Sequence, residues 1–111
     1  MANKAWIGVD LDGTLAYYDG NYEPDKIGAP IIPMLNHIKN LISTGQTVKI
    51  FTARVCSLES EEDREKATTA IKAWCKEHIG QELEITSEKD WYMIEYYDDR
   101  AVRVNYNEGT F

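Results

Sequence analysis

The sequence predicts a single α/β domain built around a mainly parallel sheet. Its 111 residues fit one domain, which we assign to residues 1–111, and 43% hydrophobic and 28% charged residues are typical of a globular protein. Short apolar runs alternate with longer segments of helical periodicity, and brief glycine-containing breaks separate them. Strands and helices that alternate in this way form parallel sheets with helices packed on them.

The first predicted strand is the apolar run 5–9, which ends abruptly at Asp10. Both faces of this run are apolar, as expected of a buried strand in a parallel sheet. In the next segment, residues 15–24, tyrosines flank the turn signal Asp19-Gly20, which predicts a small hairpin. Three tyrosines of this hairpin are expected either to shape the mouth of a site or to form a contact in a homo-oligomer; they are Tyr17, Tyr18 and Tyr22.

Two helices and four further strands follow in the predicted order. Apolar residues recur at helical spacing over residues 32–42, and Gly45 ends this helix. A longer amphipathic helix covers residues 60–79, with Ser60 as its N-terminal cap and Gly80 after its end. The remaining predicted strands are residues 47–51, 83–86, 93–97 and 101–104.

Polar side chains follow four of the predicted strands, at the point where each strand ends. Because the carboxyl ends of parallel strands meet at one edge of the sheet, we expect these side chains to converge there. They are Asp10 and Asp12 after the first strand, Thr52 after the second, Lys89 in the loop after the third, and Asp98 and Asp99 after the fourth.

Carboxylates crowded at one edge repel one another, and a divalent cation removes that conflict. Carboxylate oxygens with a backbone carbonyl and water are the ligands that Mg²⁺ prefers. A lysine and a hydroxyl beside the metal suit a phosphoryl group, which presents several anionic oxygens. The sequence therefore predicts a magnesium site next to a phosphate site.

The residues at these strand ends resemble the four motifs of the haloacid dehalogenase superfamily. Residues 10–15, Asp-Leu-Asp-Gly-Thr-Leu after an apolar strand, are similar to the first motif, and residues 48–52 are similar to the second, a strand that ends in Thr or Ser. Lys89 is the candidate for the third motif, and residues 96–99, Tyr-Tyr-Asp-Asp, are similar to the fourth. The resemblance covers residues 7–99 and implies a Rossmann-like three-layer α/β/α fold.

This resemblance also implies a function, a Mg²⁺-dependent phosphatase that hydrolyses a phosphomonoester. Asp10 would be the nucleophile that forms an aspartyl-phosphate, and Asp12 the general acid and then the general base. Thr52 and Lys89 would hold the phosphoryl oxygens. The implied metal ligands are Asp10, the backbone carbonyl of Asp12, and Asp99, with Asp98 as a helper or alternative ligand.

The gaps between the motifs are too short for a cap domain. Residues 10–52 hold one hairpin and one helix, and residues 52–89 hold one helix and one strand. The resemblance is therefore to capless members, whose sites are open. Arg54 follows Thr52 by two residues, so we expect it to overhang the site and bind substrate, or to form a surface salt bridge with the acidic stretch 59–65.

The charge of the chain favours one substrate class over another. Lys and Arg total 12 against 19 Asp and Glu, and a net charge of −7 disfavours nucleic acid as a partner. A small phosphorylated substrate is therefore preferred to nucleic-acid ends. The run Asp98-Asp99-Arg100 nevertheless resembles the phosphatase domain of polynucleotide kinase-phosphatases, which keeps a 3′-phosphatase as an alternative. A non-catalytic metal-binding protein of the same fold is the third hypothesis.

The expected location is the cytoplasm. No apolar run is long enough to span a bilayer, and residues 1–9 lack the core of a signal peptide. The two cysteines, Cys56 and Cys75, form neither a disulfide framework nor a zinc ligand set, as expected in a reducing compartment.

Overall fold

The computed structural model describes residues 4–111, so Met1–Asn3 of the predicted domain lie outside the described residues. It confirms both predicted helices and the first four predicted strands. Ser60 caps the second helix as expected, because its Oγ accepts a hydrogen bond of 3.1 Å from the backbone N–H of Asp63. The elements are β1 (Trp6–Asp10), α1 (Ile32–Ser43), β2 (Val48–Phe51), α2 (Glu61–His78), β3 (Ile85–Thr86) and β4 (Met93–Tyr97), with one 3₁₀ turn at Ala53–Val55.

The four strands form one parallel sheet in the order β3-β2-β1-β4. β1 is central, with Ile7 opposite Val48 of β2 and Gly8 opposite Tyr96 of β4. All four carboxyl ends therefore point to the same edge, as the sequence predicts. The Rossmann-like α/β class and its parallel sheet are confirmed.

Both helices pack on one face of this sheet. Right-handed crossovers require this, because β1, β2 and β3 follow one another in a single direction across the sheet. The predicted third layer is not formed by a helix of residues 4–111, since the connection from β3 to β4 holds only a turn. The shared apolar cluster includes Ile7, Val9, Val48 and Ile50 of the sheet, Leu35 and Ile38 of α1, and Ala67, Ile71 and Trp74 of α2.

Aromatic side chains cover the opposite face of the sheet. Trp6 is 1% exposed there, with its ring 6.5 Å from the ring of Phe51 and the Lys49 ammonium 4.5 Å from its ring centre. Gly8 leaves room for the side chains on this face, because a Cβ at this position would lie 2.6 Å from the Met93 side chain and 3.2 Å from the Trp6 ring. Bulky residues from three strands thus bury the middle of this face without a second helical layer.

Two predicted elements are absent from the described residues, the hairpin at 15–24 and the strand at 101–104. Residues 17–29 instead form a loop, closed at its base by an isolated bridge between Ala16 and Pro30. The Asp19 carboxylate accepts the Asn21 N–H, so the turn signal was correct, but no strands flank the turn. After β4, the Asp98 carboxylate accepts the N–H of Ala101 at 2.9 Å, which turns the chain out of the strand direction.

None of the helices in the described part of the chain is long and apolar enough to cross a membrane.

Candidate functional site

A cavity of about 520 Å³ opens at the carboxyl edge of the sheet. It brings together nearly all of the side chains that sequence reasoning placed there. Tyr18 and Tyr22 of the 17–29 loop form part of its wall, which favours the first of the two roles left open for the tyrosines. The lining residues that bear on chemistry are Asp10, Asp12, Thr52, Arg54, Asp98, Asp99 and Arg100.

Three carboxylates meet on one side of this cavity, and we call Asp10, Asp98 and Asp99 the carboxylate cluster. One carboxylate oxygen of each lies within 4.8 Å of the other two. The Thr14 hydroxyl lies between two of them, 3.3 Å from Asp10 Oδ2 and 3.2 Å from Asp99 Oδ1. Gly13 permits this close approach, because its φ is +86° and a Cβ there would lie 3.2 Å from Asp99 Oδ2.

The crowding changes the protonation of the cluster. Burial, a hydrogen bond with Asp99 and the charges of Asp98 and Asp99 together raise the pKa of Asp10 to about 7. The same hydrogen bond lowers the pKa of Asp99. Below about pH 7 Asp10 therefore retains its proton, in the place where a cation would neutralise the same charge.

The donor set of the cluster fits a magnesium ion. All of its ligand atoms are carboxylate oxygens, which hard divalent cations prefer. Asp10, Asp98 and Asp99 are the side-chain ligands expected from the sequence, and the fold brings these three together. The Asp12 carboxylate points to a different partner and is not part of the cluster.

That partner is Arg54, whose side chain is only 3% exposed. Arg54 Nε donates to Asp12 Oδ2 at 2.8 Å, and Nη2 donates to Asp12 Oδ1 at 2.7 Å. Nη1 donates to the carbonyls of Glu23 and Pro24 at 3.0 Å, and Nη2 donates to the carbonyl of Lys26 at 2.8 Å. We call this set, Arg54 with Asp12 and the three loop carbonyls, the guanidinium clamp.

The clamp gives Arg54 a carboxylate partner that neither sequence-based hypothesis named. A guanidinium carries five N–H donors, and the five bonds of the clamp use all of them. Arg54 therefore keeps no donor for a substrate phosphate, and its carboxylate partner is Asp12 rather than the 59–65 stretch. Burial disfavours the charge of Arg54, but the hydrogen bonds and negative charge of Asp12 outweigh it and raise the pKa of Arg54.

Thr52 lies at the end of β2 and is 2% exposed. Its backbone N–H donates to the Thr86 carbonyl, and its Oγ1 accepts a hydrogen bond of 3.2 Å from the N–H of Arg54. A hydroxyl that accepts one hydrogen bond still has its own proton to donate. Thr52 thus lines the cavity and keeps one hydroxyl donor.

The two remaining cations differ in placement. Lys89 is exposed in the loop between β3 and β4, does not line the cavity, and forms no ion pair within residues 4–111. Arg100 lines the cavity, although it is not among the site residues assigned from the sequence. Its position directly after Asp99, at the end of a predicted strand, was the available signal.

Comparison with known proteins supports the fold alone. Neither the protein-family models nor the curated proteins give a match to this chain. A solved structure, of a conserved protein from Bacteroides thetaiotaomicron, is similar with a TM-score of 0.57 and 22% sequence identity. The match covers 86% of this chain and 76% of that protein. The α/β architecture therefore has a counterpart among solved structures.

Proposed function

We propose that this protein is a Mg²⁺-dependent phosphatase that hydrolyses small phosphomonoesters through an aspartyl-phosphate on Asp10. The observation that carries the proposal is the carboxylate cluster itself, with the Asp10 carboxylate, two further carboxylates and the Thr52 hydroxyl around one open cavity. The magnesium ion, when bound by the cluster and the Asp12 carbonyl, supplies positive charge that keeps Asp10 ionised and offsets the charge of the phosphate.

The reaction proceeds in two halves. In the first, an Asp10 carboxylate oxygen attacks phosphorus and the bond from phosphorus to the leaving oxygen breaks. Before this step Asp12 takes up a proton from solvent, and the leaving oxygen then takes that proton from the Asp12 carboxyl group. In the second half, a water oxygen attacks phosphorus, its proton passes to the Asp12 carboxylate, and the bond from phosphorus to Asp10 breaks. Inorganic phosphate leaves, Asp12 releases its proton to solvent, and both side chains return to their starting states.

Thr52 and Lys89 are proposed to hold the phosphoryl oxygens. The loop that carries Lys89 leaves the sheet directly after Thr86, whose carbonyl accepts the N–H of Thr52. Lys89 therefore starts from the same edge as the cavity, on a flexible four-carbon stem. Catalytic contacts are often long or absent before substrate binds, so an exposed Lys89 is compatible with closure onto a bound phosphate.

The charge of the chain favours a small substrate, whereas the side chains of the cavity wall favour a second candidate activity. A net charge of −7 disfavours extended contact with a nucleic-acid backbone. Arg100, Tyr18 and Tyr22 nevertheless present one cation and two aromatic rings to the cavity, the side chains on which nucleotide ends stack and pair. A 3′-phosphatase acting on nucleic-acid ends is therefore the alternative activity, and a non-catalytic metal-binding protein is the alternative without turnover.

Hydrolysis of p-nitrophenyl phosphate tests the proposal. Activity is expected with Mg²⁺, and none in excess EDTA or in the Asp10→Asn variant. No hydrolysis by wild type with Mg²⁺ would leave the non-catalytic hypothesis. A parallel assay with a 3′-phosphorylated oligonucleotide and a panel of phosphorylated metabolites separates the two enzyme hypotheses, and we expect the highest kcat/KM on a metabolite.

The proposed setting is the cytoplasm, supported by the two free cysteines, Cys56 and Cys75.

A further inference from the structure

We propose that Arg54 is a positioning residue, which holds the Asp12 carboxyl group at the leaving group and fixes the 17–29 loop as the wall of the cavity. This inference rests on the proposed function, because it concerns the proton transfers assigned to Asp12. It differs from a substrate-binding role, since all five donors of Arg54 are already used within the protein.

The first half of the clamp controls the direction of the Asp12 side chain. Two parallel hydrogen bonds, at 2.8 and 2.7 Å, engage both oxygens of the carboxyl group and prevent its rotation about the last side-chain bond. The Arg54 backbone is fixed beside Thr52, because it lies in the 3₁₀ turn Ala53–Val55 and its N–H donates to Thr52 Oγ1. The direction of Asp12 is therefore tied to the residue proposed to hold the phosphoryl group.

The second half of the clamp controls the loop. The carbonyls of Glu23, Pro24 and Lys26 all accept from the guanidinium, and the Tyr22 ring lies 5.0 Å from its centre. In this short loop the carbonyls converge on one side chain rather than on a partner strand, which explains the absence of the predicted hairpin. Trp74 Nε1 separately anchors the loop at the Gly28 carbonyl, at 2.9 Å.

One buried cation thus joins the proton-transfer residue to the wall that faces the substrate. Lysine in its place keeps the charge but cannot form a planar fork to both Asp12 oxygens and reach three carbonyls as well. Glutamine has neither the positive charge nor the five donors of arginine, and it keeps only one amide group for hydrogen bonding. The two variants therefore separate the geometry of the fork from the presence of a positive charge.

The catalytic test compares two substrates with different leaving groups. p-Nitrophenolate leaves without a proton, whereas the alkoxide of glycerol 3-phosphate needs one from Asp12. For Arg54→Lys we expect kcat/KM to fall about tenfold or more further on glycerol 3-phosphate than on p-nitrophenyl phosphate. Partial loss of folded protein lowers both values by one factor, so it cannot produce this difference. Lys66→Gln is the control, because Lys66 is exposed on α2 and pairs with the exposed Glu62.

The structural test needs no activity. Trypsin cleaves after Lys26, an exposed residue whose own carbonyl is held by Arg54 Nη2. Cleavage between Lys26 and Ile27 is expected to become roughly tenfold faster in Arg54→Lys and Arg54→Gln. Cleavage after Arg103, in the exposed C-terminal segment, serves as the internal reference and should not change.

The outcomes are distinguishable. An equal fall on both substrates, or an unchanged rate at Lys26, overturns the positioning role while wild-type activity leaves the proposed function standing. Wild type that hydrolyses neither substrate overturns the proposed function and the role of Arg54 in it together. If Arg54→Gln does not fold, as judged by its thermal melt, Arg54→Lys carries both tests.

Discussion

Asp10 and Asp12 are separated by a single residue, yet the fold surrounds them with opposite charges. Asp10 belongs to the carboxylate cluster, where burial and two neighbouring carboxylates raise its pKa to about 7. Asp12 belongs to the guanidinium clamp, where both of its oxygens accept from Arg54. A cation bound from solution would neutralise the charge around Asp10, whereas the Arg54 guanidinium already neutralises the charge of Asp12.

The residue between them explains how this separation arises. Leu11 is fully buried, and its carbonyl accepts the N–H groups of Leu15 and Ala16 at 3.0 and 2.8 Å. The chain therefore turns tightly about Leu11, so that the two aspartates leave it towards different neighbours. The proposed nucleophile and the proposed proton-transfer group thus have different surroundings, which one tight turn provides.

Replacement of the proposed nucleophile should have the largest effect. Asp10→Asn removes the oxygen that forms the acyl phosphate while keeping the shape of the side chain. We expect turnover of p-nitrophenyl phosphate to fall by at least about 10⁴-fold, as for other enzymes that lose a covalent nucleophile. Activity within tenfold of wild type, with Mg²⁺ present, would move the nucleophile away from the carboxylate cluster.

Replacement of the clamped carboxylate should have a smaller effect that depends on substrate. Asp12→Asn cannot donate a proton to the leaving group, so kcat/KM on an alkyl phosphate should fall by roughly 10²–10⁴-fold. The fall on p-nitrophenyl phosphate should be at least tenfold smaller, because nitrophenolate needs no proton. Equal losses on the two substrates would contradict the role of Asp12 as general acid and would remove the functional contrast between the two aspartates.

A third comparison concerns the cation that binds the substrate phosphate, for which Lys89 and Arg100 are the candidates. Lys89→Ala is expected to lower kcat/KM by about 10–100-fold, through both KM and kcat, because its charge acts in the ground and transition states. Arg100→Ala is the matched variant, a cation that already lines the cavity, and it should lower kcat/KM only several-fold. The reverse ranking would assign the phosphate contact to Arg100 and leave Lys89 as a surface residue.

The smallest effect concerns stability and pH in the absence of metal. In the unfolded chain the Asp10 carboxyl loses its proton near its ordinary pKa of 3.8, whereas in the folded protein its pKa is about 7. The folded state therefore binds more protons between these values, and stability should fall as pH rises through this window. Asp10→Asn removes this dependence and should be more stable than wild type at pH 8 by on the order of 2 kcal/mol.

Urea unfolding in EDTA at pH 5 and pH 8 measures this difference. The gap between Asp10→Asn and wild type should be large at pH 8 and small at pH 5. Mg²⁺ should raise the stability of wild type at pH 8, since it binds the folded state alone, and it should do so less for Asp10→Asn. If the free energy of unfolding changed with pH in the same way for both proteins, the charges of the cluster would not destabilise the folded state.

Much of the fold followed from local sequence patterns, because buried strands and amphipathic helices have distinct periodicities. The convergence of Asp10, Thr52 and Asp99 followed from parallel topology alone, which brings strand ends to one edge. The 17–29 loop could not be predicted, because its shape depends on Arg54, about thirty residues later in sequence. Local spacing also gave no sign that Arg54 is buried, since an arginine after a strand is usually exposed.

The central claim is that a phosphoryl group is transferred to Asp10, and mass spectrometry after rapid acid quench tests it most directly. Wild type and Asp12→Asn, mixed with p-nitrophenyl phosphate and Mg²⁺, should yield a peptide containing Asp10 with the added mass of one phosphoryl group. The modification should be more abundant in Asp12→Asn, whose second half-reaction lacks its general base, and absent from Asp10→Asn. Hydrolysis by wild type with no phosphorylated Asp10 in either protein would contradict the account.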